Sequence, residues 1–210
     1  KRFATLFPNF FKIFFLKTIT KCAFLYYNEN AISSRPFGRV SEIRKKGAER
    51  MPAQYTHQLI AERTLAALPA PLREKISSFA ALCLGAQRGD VFYFLRVRGG
   101  KGKNFGRFMH SGDVFSVFES FYEALLSRPS AQAFSYVAGY ISHYAADTLF
   151  HPFVYGLMER FAAAEPRWKG KRHVYIESDL DSHFIAVREG IPVSRYKSPV
   201  RRALAHAEEE

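Results

Sequence analysis

A chain of 210 residues that is 48% hydrophobic and 16% aromatic is large enough for one well-buried domain and too apolar for a disordered polypeptide. Its two cysteines, Cys22 and Cys83, exclude a disulfide framework and a cysteine-based zinc finger, so a metal would have to be held by histidine and carboxylate. The net charge of +12 favours anionic partners, yet residues 1–50 carry 11 Lys/Arg against 3 Asp/Glu while residues 51–210 carry 20 against 16.

Residues 1–50 read as a basic, aromatic segment. Lys12, Lys17 and Lys21 interrupt its Phe-rich stretch, and the uncharged run Ile13 to Leu16 is far too short to span a bilayer. No secretory signal is evident. A basic amphipathic segment lying on a membrane surface is one reading. The stronger one starts from the composition break at Met51, where Lys46-Gly47-Ala48 is compatible with a bacterial ribosome-binding signal ahead of a start codon. The expectation is that residues 1–50 are disordered or not translated, and that one domain occupies residues 51–210. That domain stops within the helical pattern of Ala203 to Glu210, as a truncated C-terminus would.

From Thr56 onward the pattern is helical. Ile60, Thr64, Leu65 and Leu68 follow a possible Thr56 cap, and Leu68-Pro69 ends the segment. Leu72 to Leu84 predicts a second helix stopped by Gly85, and the glycine-rich stretch from Gln87 to Phe108 a loop. Val114 to Ser127 is amphipathic, and Ser130 to Phe150 is a long apolar helix containing Gly139. His151 precedes Pro152, which biases it out of helical geometry and predicts a break there, with Pro152 opening a helix to Ala164. His173 to Arg188 is the last helix. No alternating strand and no repeat is present, so the expected fold class is all-α: a multi-helix bundle around a central site.

The chemistry concentrates on a few of these helices. His143, Asp147 and His151 stand at i, i+4 and i+8, and each step of four residues drifts only about 40° around a helix. Tyr144, Leu149 and Phe150 flank them, which turns the polar stripe inward. A buried His/Asp/His stripe needs a partner, and a divalent metal supplies one. His57, Asp90, His110, and the pair His173 and Glu177 extend the set to eight groups, more than one tetrahedral ion needs, so two or three ions are implied. Asp147, central in its stripe, is the natural bridge. Of seven histidines, His183 and His206 stay outside the set. Asp181 continues the 173–177 stripe as an outer support of the ligands, a cap or an ion-pair partner, while Trp168 reads as core.

Taken in order, Met51-Pro52-Ala53-x-Tyr55-Thr56-His57, Leu84-Gly85-Ala86-Gln87-x-x-Asp90, Met109-His110-Ser111, Gly139-x-x-x-His143-x-x-x-Asp147-x-x-x-His151-Pro152 and His173-x-x-x-Glu177-x-x-x-Asp181 resemble the zinc-dependent phospholipase C family. The resemblance implies an all-α, tri-zinc fold shared with secreted single-strand nucleases. It implies that Asp90, His110, His143 and Asp147 surround one Zn2+, that Asp147 reaches a second shared with His57, and that His151, His173 and Glu177 hold the third. It further implies that a mature terminus at Pro52 would place its amine on the second zinc.

The expected activity is a zinc-dependent phosphodiester hydrolase, phospholipase C-like, in which clustered metals activate water and Asp90 orients or deprotonates it. A phosphodiester or phospholipid headgroup is the expected substrate, with transient contact to a membrane surface and no obligate protein partner. Arg88, Arg96, Arg98, Lys101 and Lys103 read first as a solvated loop and second as a guide for an anionic headgroup. A nuclease with the same metals is the first rival, disfavoured because residues 51–210 lack an aromatic-basic stripe. A non-catalytic zinc-binding protein is the second. The lack of an export signal at Met51 gives a cytoplasmic expectation.

Overall fold

The computed structural model describes residues 54–87, 89–93, 106, 110, 114–165 and 173–197. The expectations for residues 1–50, for Pro52, for the cations at positions 88–103, for Trp168 and for His206 lie outside the described residues. The described residues form six helices: α1 Gln54–Ala67, α2 Ala70–Arg73, α3 Phe79–Ala86, α4 Val114–Ser127, α5 Ala131–Ala164 and α6 His173–Glu189. Among the described residues there are also two 3-10 turns, Asp90–Tyr93 after α3 and Val193–Arg195 after α6, and no strand. None of the described helices is long and apolar enough to cross a membrane.

The 34-residue α5 is the axis of the molecule, and α1, α3, α4 and α6 all pack on it. Its start is set by Ser130, whose hydroxyl accepts the Ala133 N–H. The core between α3, α4 and α5 is built from Leu82, Phe118, Leu125, Phe134, Val137, Tyr140 and Ile141. Tyr140 meets Phe118 and Phe121 edge-on at 6.0 and 5.0 Å between ring centroids, the arrangement that aromatic quadrupoles favour. A second cluster, with Tyr55, Leu59, Phe184 and Ile185, fastens α1 to α6.

Four details differ from the sequence expectations. The segment 72–84 is not one helix: α2 stops at Arg73, and α3 begins after Ser78, whose side chain accepts the Ala81 N–H at 3.2 Å. Serine competes with the helical backbone for such bonds, so Ser77-Ser78 breaks the helix where apolar periodicity alone carries it through. Gly85 is not a stop, because α3 runs on to Ala86. Thr56 is not the cap of α1 but lies in its first turn. The predicted break at His151-Pro152 is absent, and α5 continues through Pro152. An interior proline costs about 3 kcal/mol in lost hydrogen bonding and ring clash. Packing on both sides outweighs it, with Phe150 against Ile60 and Ala146 before the proline and the fully buried Val154 after it.

Gly85 and Gly139 are needed where α3 crosses α5. A Cβ on Gly85 would stand 2.0 Å from the Tyr136 carbonyl oxygen, and one on Gly139 would stand 2.1 Å from the Leu82 carbonyl oxygen. The two backbones therefore touch directly, and that contact brings the last carbonyl of α3 within reach of α5 side chains. Gly139→Ala must push the helices apart, and overpacking of this kind costs about 1–3 kcal/mol. Urea denaturation should show a lowered midpoint of that size for the variant, and an unchanged midpoint would contradict the backbone contact.

Candidate metal centre

All eight ligand candidates converge on one region between α1, α5 and α6, joined by Asp90 from the 3-10 turn and by His110. Three groups each have ligand atoms within 4.8 Å of one another: His57 with Asp90 and His143, His110 with His143 and Asp147, the two sharing His143, and separately His151 with His173 and Glu177. His143, Asp147 and His151 come from one face of α5, His173 and Glu177 from one face of α6, and His57 from the first turn of α1.

Asp147 stands at the centre. Its Oδ1 lies 3.4 Å from His57 Nε2 and 3.5 Å from His151 Nε2, while its Oδ2 lies 3.1 Å from His143 Nε2. His151 Nε2 is in turn 3.6 Å from Glu177 Oε1, to which His173 Nε2 approaches at 2.8 Å. Asp90 faces His110 Nε2 through Oδ1 at 2.8 Å and His143 Nε2 through Oδ2 at 3.9 Å. The wall between the His57 and Glu177 sides is apolar, formed by Ile60, Ala146, Phe150, Val154 and Leu180. Such a wall lowers the local dielectric and strengthens each charge interaction.

Backbone carbonyls orient two of the imidazoles. His143 Nδ1 lies 2.8 Å from the Ala86 carbonyl oxygen, the carbonyl delivered by the close α3–α5 crossing, and His110 Nδ1 lies 2.7 Å from that of Gly106. A carbonyl only accepts, so each Nδ1 carries a proton and a neutral ring presents its Nε2 lone pair to a carboxylate. Lone pair facing lone pair is unfavourable unless a proton or a cation lies between them. Second contacts from imidazole to backbone carbonyl are also how metal-binding histidines are held in one tautomer.

Protons alone satisfy this cluster poorly. His57 and His143 stack at 3.8 Å between centroids with an 18° interplanar angle, so two adjacent imidazolium charges would repel at contact. Burial, with His143 beside it, drives the His57 imidazole down to about 4 against the pull of Asp147 and Asp90. Its buried Nδ1 has no hydrogen-bond partner among the described residues. Burial also opposes charge on His143, but Asp147, Asp90 and the Ala86 carbonyl outweigh it and raise this group. Burial works against charge on Asp147, Asp90 and Glu177 as well, yet the surrounding histidines hold all three carboxyls below their usual range. Three ionised carboxylates, a neutral His57 and inward-facing imidazole nitrogens form a donor set suited to divalent zinc.

One feature has no signal in the sequence, and another settles among the roles that the sequence leaves open. The Ala86 and Gly106 carbonyls carry no side-chain signal at all. Asp181 had a visible place in the stripe but no assigned partner: it is buried, and its carboxylate accepts the N–H groups of Tyr55 and Thr56 and the Thr56 hydroxyl. Burial pushes its carboxyl up to about 6, against these three hydrogen bonds. His183 stands apart from the centre beside Phe184.

The His57 shift has a readable consequence in the metal-free protein. Its folded value lies below the unfolded value of about 6.5, so the stability it contributes is complete above that pH and is lost as the pH falls toward 4. With metal removed by EDTA, urea midpoints between pH 7 and pH 4.5 should fall more steeply for the wild type than for His57→Gln. The difference should be about 2 kcal/mol at pH 5. Parallel curves for the two proteins would contradict a neutral, buried His57.

Comparison with known proteins agrees with this geometry. Residues 56–208 match the family model described as zinc dependent phospholipase C. No curated protein and no solved structure matches the chain. The match takes in every residue from His57 to Glu177 that the fold gathers around Asp147, and the chain belongs to the zinc-dependent phospholipase C family.

Proposed function

We propose that the protein is a zinc-dependent phosphodiester hydrolase with phospholipase C-like activity on a phospholipid headgroup. One observation carries the reading: Asp147, largely enclosed and held ionised, faces the imidazoles of His57, His143 and His151 at 3.1–3.5 Å, and a second carboxylate stands at each end of the cluster. His57, Asp90, His110, His143, Asp147, His151, His173 and Glu177 would hold two or three Zn2+, and Pro52 would add its amine in a chain that begins there. Zinc, when bound, supplies Lewis acidity toward phosphate oxygens and toward water.

The side chains then have separate tasks. His143 and His110, fixed by the Ala86 and Gly106 carbonyls, keep their Nε2 atoms aimed without reorganisation during the reaction. Asp90 is the carboxylate that faces both His110 and His143, the two imidazoles held by backbone carbonyls. It orients the attacking water and accepts its proton, as a carboxylate held ionised can do near neutral pH. Glu177, His151 and His173 gather at the other end, 3.5 Å from Asp147 through His151, where the phosphate and its departing oxygen would be neutralised. The apolar wall limits the water that competes for these charges.

The full chain should contain zinc by elemental analysis and hydrolyse phosphatidylcholine in preference to single-stranded oligonucleotide. Asp147→Ala should lose most of the metal, and chelation should lower the melting temperature and abolish turnover. Asp90→Asn should reduce kcat by about 10²–10⁴-fold, the usual range for an acid–base group. Faster cleavage of the oligonucleotide would move the assignment to a nuclease, and tight zinc with no turnover on either substrate would make this a non-catalytic metal protein.

A further inference from the structure

We propose that Asp181 is a positioning residue of the metal centre, capping α1 from across the fold and so setting where His57 stands relative to Asp147 and to the His151, His173 and Glu177 triad. The inference rests on the metal-binding reading above and concerns a residue whose hydrogen bonds go to Tyr55 and Thr56, neither of them a candidate ligand.

Helix α1 has no acidic residue in its first turn to meet its first amides, and the residue that precedes it in sequence is Ala53, whose methyl group accepts nothing. The second and third amides of the helix, those of Tyr55 and Thr56, point instead to Asp181 Oδ2 at 3.1 Å and Oδ1 at 2.9 Å. These are the two amides that a local cap would serve. The Thr56 hydroxyl adds a third bond to Oδ1 at 2.7 Å. Gln87 holds the same turn from the other side, its Nε2 donating to the Gln54 carbonyl at 3.2 Å, and Gln87 also accepts the Asp90 N–H through its own carbonyl at 3.0 Å. His57 is the next residue along α1.

The reach of Asp181 follows from α6. Residues 173, 177 and 181 stand at i, i+4 and i+8, so the rotation that turns His173 and Glu177 toward their triad also turns Asp181 toward the start of α1, one turn further on. A single helix face thus fixes two metal ligands and the helix that carries a third. Asp181 is 7% exposed, and water does not substitute readily for its bonds. Without them, two first-turn amides and a hydroxyl are left to find other partners, and the first turn of α1 loses the constraint that aims His57. Ligand geometry is sensitive to shifts of this kind, because a displacement of about 1 Å removes a donor from bonding range.

The test uses the full chain stripped of metal and titrated with Co2+, whose visible absorption reports coordination number and geometry. Asp181→Ala is compared with Asp181→Asn, Thr56→Val and Ser130→Ala, the last removing the α5 cap, which serves no ligand directly. For Asp181→Ala the expected result is at least a tenfold weaker affinity for the Co2+ bound through His57 and a changed absorption band. Helical circular dichroism should be retained, and the Co2+ held by His151, His173 and Glu177 should bind as before. Asp181→Asn, which keeps an acceptor oxygen, should recover part of the affinity, and Thr56→Val should fall between it and the wild type. If Asp181→Ala does not fold, the ordered series of the two milder variants carries the same expectation. Wild-type affinities and spectrum in the Asp181 variants would overturn the inference while leaving the metal reading intact. A uniform loss across all ions that tracks melting temperature, as Ser130→Ala would give, would also overturn it by assigning only a structural role. A wild-type chain that binds no Co2+ would overturn the metal reading and this inference together.

Discussion

The centre depends on a largely enclosed carboxylate that its neighbours alone satisfy poorly. Asp147 is kept ionised by the three imidazoles around it, yet one of them, His57, is kept neutral by burial and by its stacked neighbour His143. His110 and His143 spend their Nδ1 protons on backbone carbonyls. Wherever one of these rings is neutral, the nitrogen that faces a carboxylate is a lone pair. A divalent cation would resolve that conflict, since it attracts lone pairs from both sides.

The rest of the fold supplies the placement. Gly85 and Gly139 let α3 and α5 approach until their backbones touch, which carries the Ala86 carbonyl to His143. The unbroken α5 delivers His143, Asp147 and His151 along one face, and its continuation through Pro152 keeps His151 near Asp147 as well as near Glu177. Helix α6 closes the other side. Packing, backbone contact and polar anchoring therefore act on the same few angstroms, and the metal chemistry inherits its geometry from helix–helix contacts that contain no metal ligand.

Much of this was legible in the sequence because helical periodicity is a strong constraint. The spacing of His143, Asp147 and His151 puts them on one face wherever the helix forms, and the same holds for His173 and Glu177. His57, Asp90 and His110 are isolated in sequence, and only the combined order of motifs brought them into the set. The expectation of a break at Pro152 failed because a local bias of a few kcal/mol yields to tertiary packing by Phe150 and Val154. Gly85 was misread as a stop since a glycine needed for close approach and a glycine needed for a left-handed turn look identical in sequence; Gly190, with φ of 67° just past α6, is the second kind. The carbonyl partners of His143 and His110 were out of reach because every residue has a carbonyl and only the fold selects one.

The most direct measurement is anomalous X-ray scattering collected above and below the zinc absorption edge from crystals of the full chain. The account predicts zinc peaks among His57, Asp90, His110, His143 and Asp147 and another beside His151, His173 and Glu177. Density that shows these side chains in place with no anomalous peak between them, after growth with zinc in the medium, would contradict it.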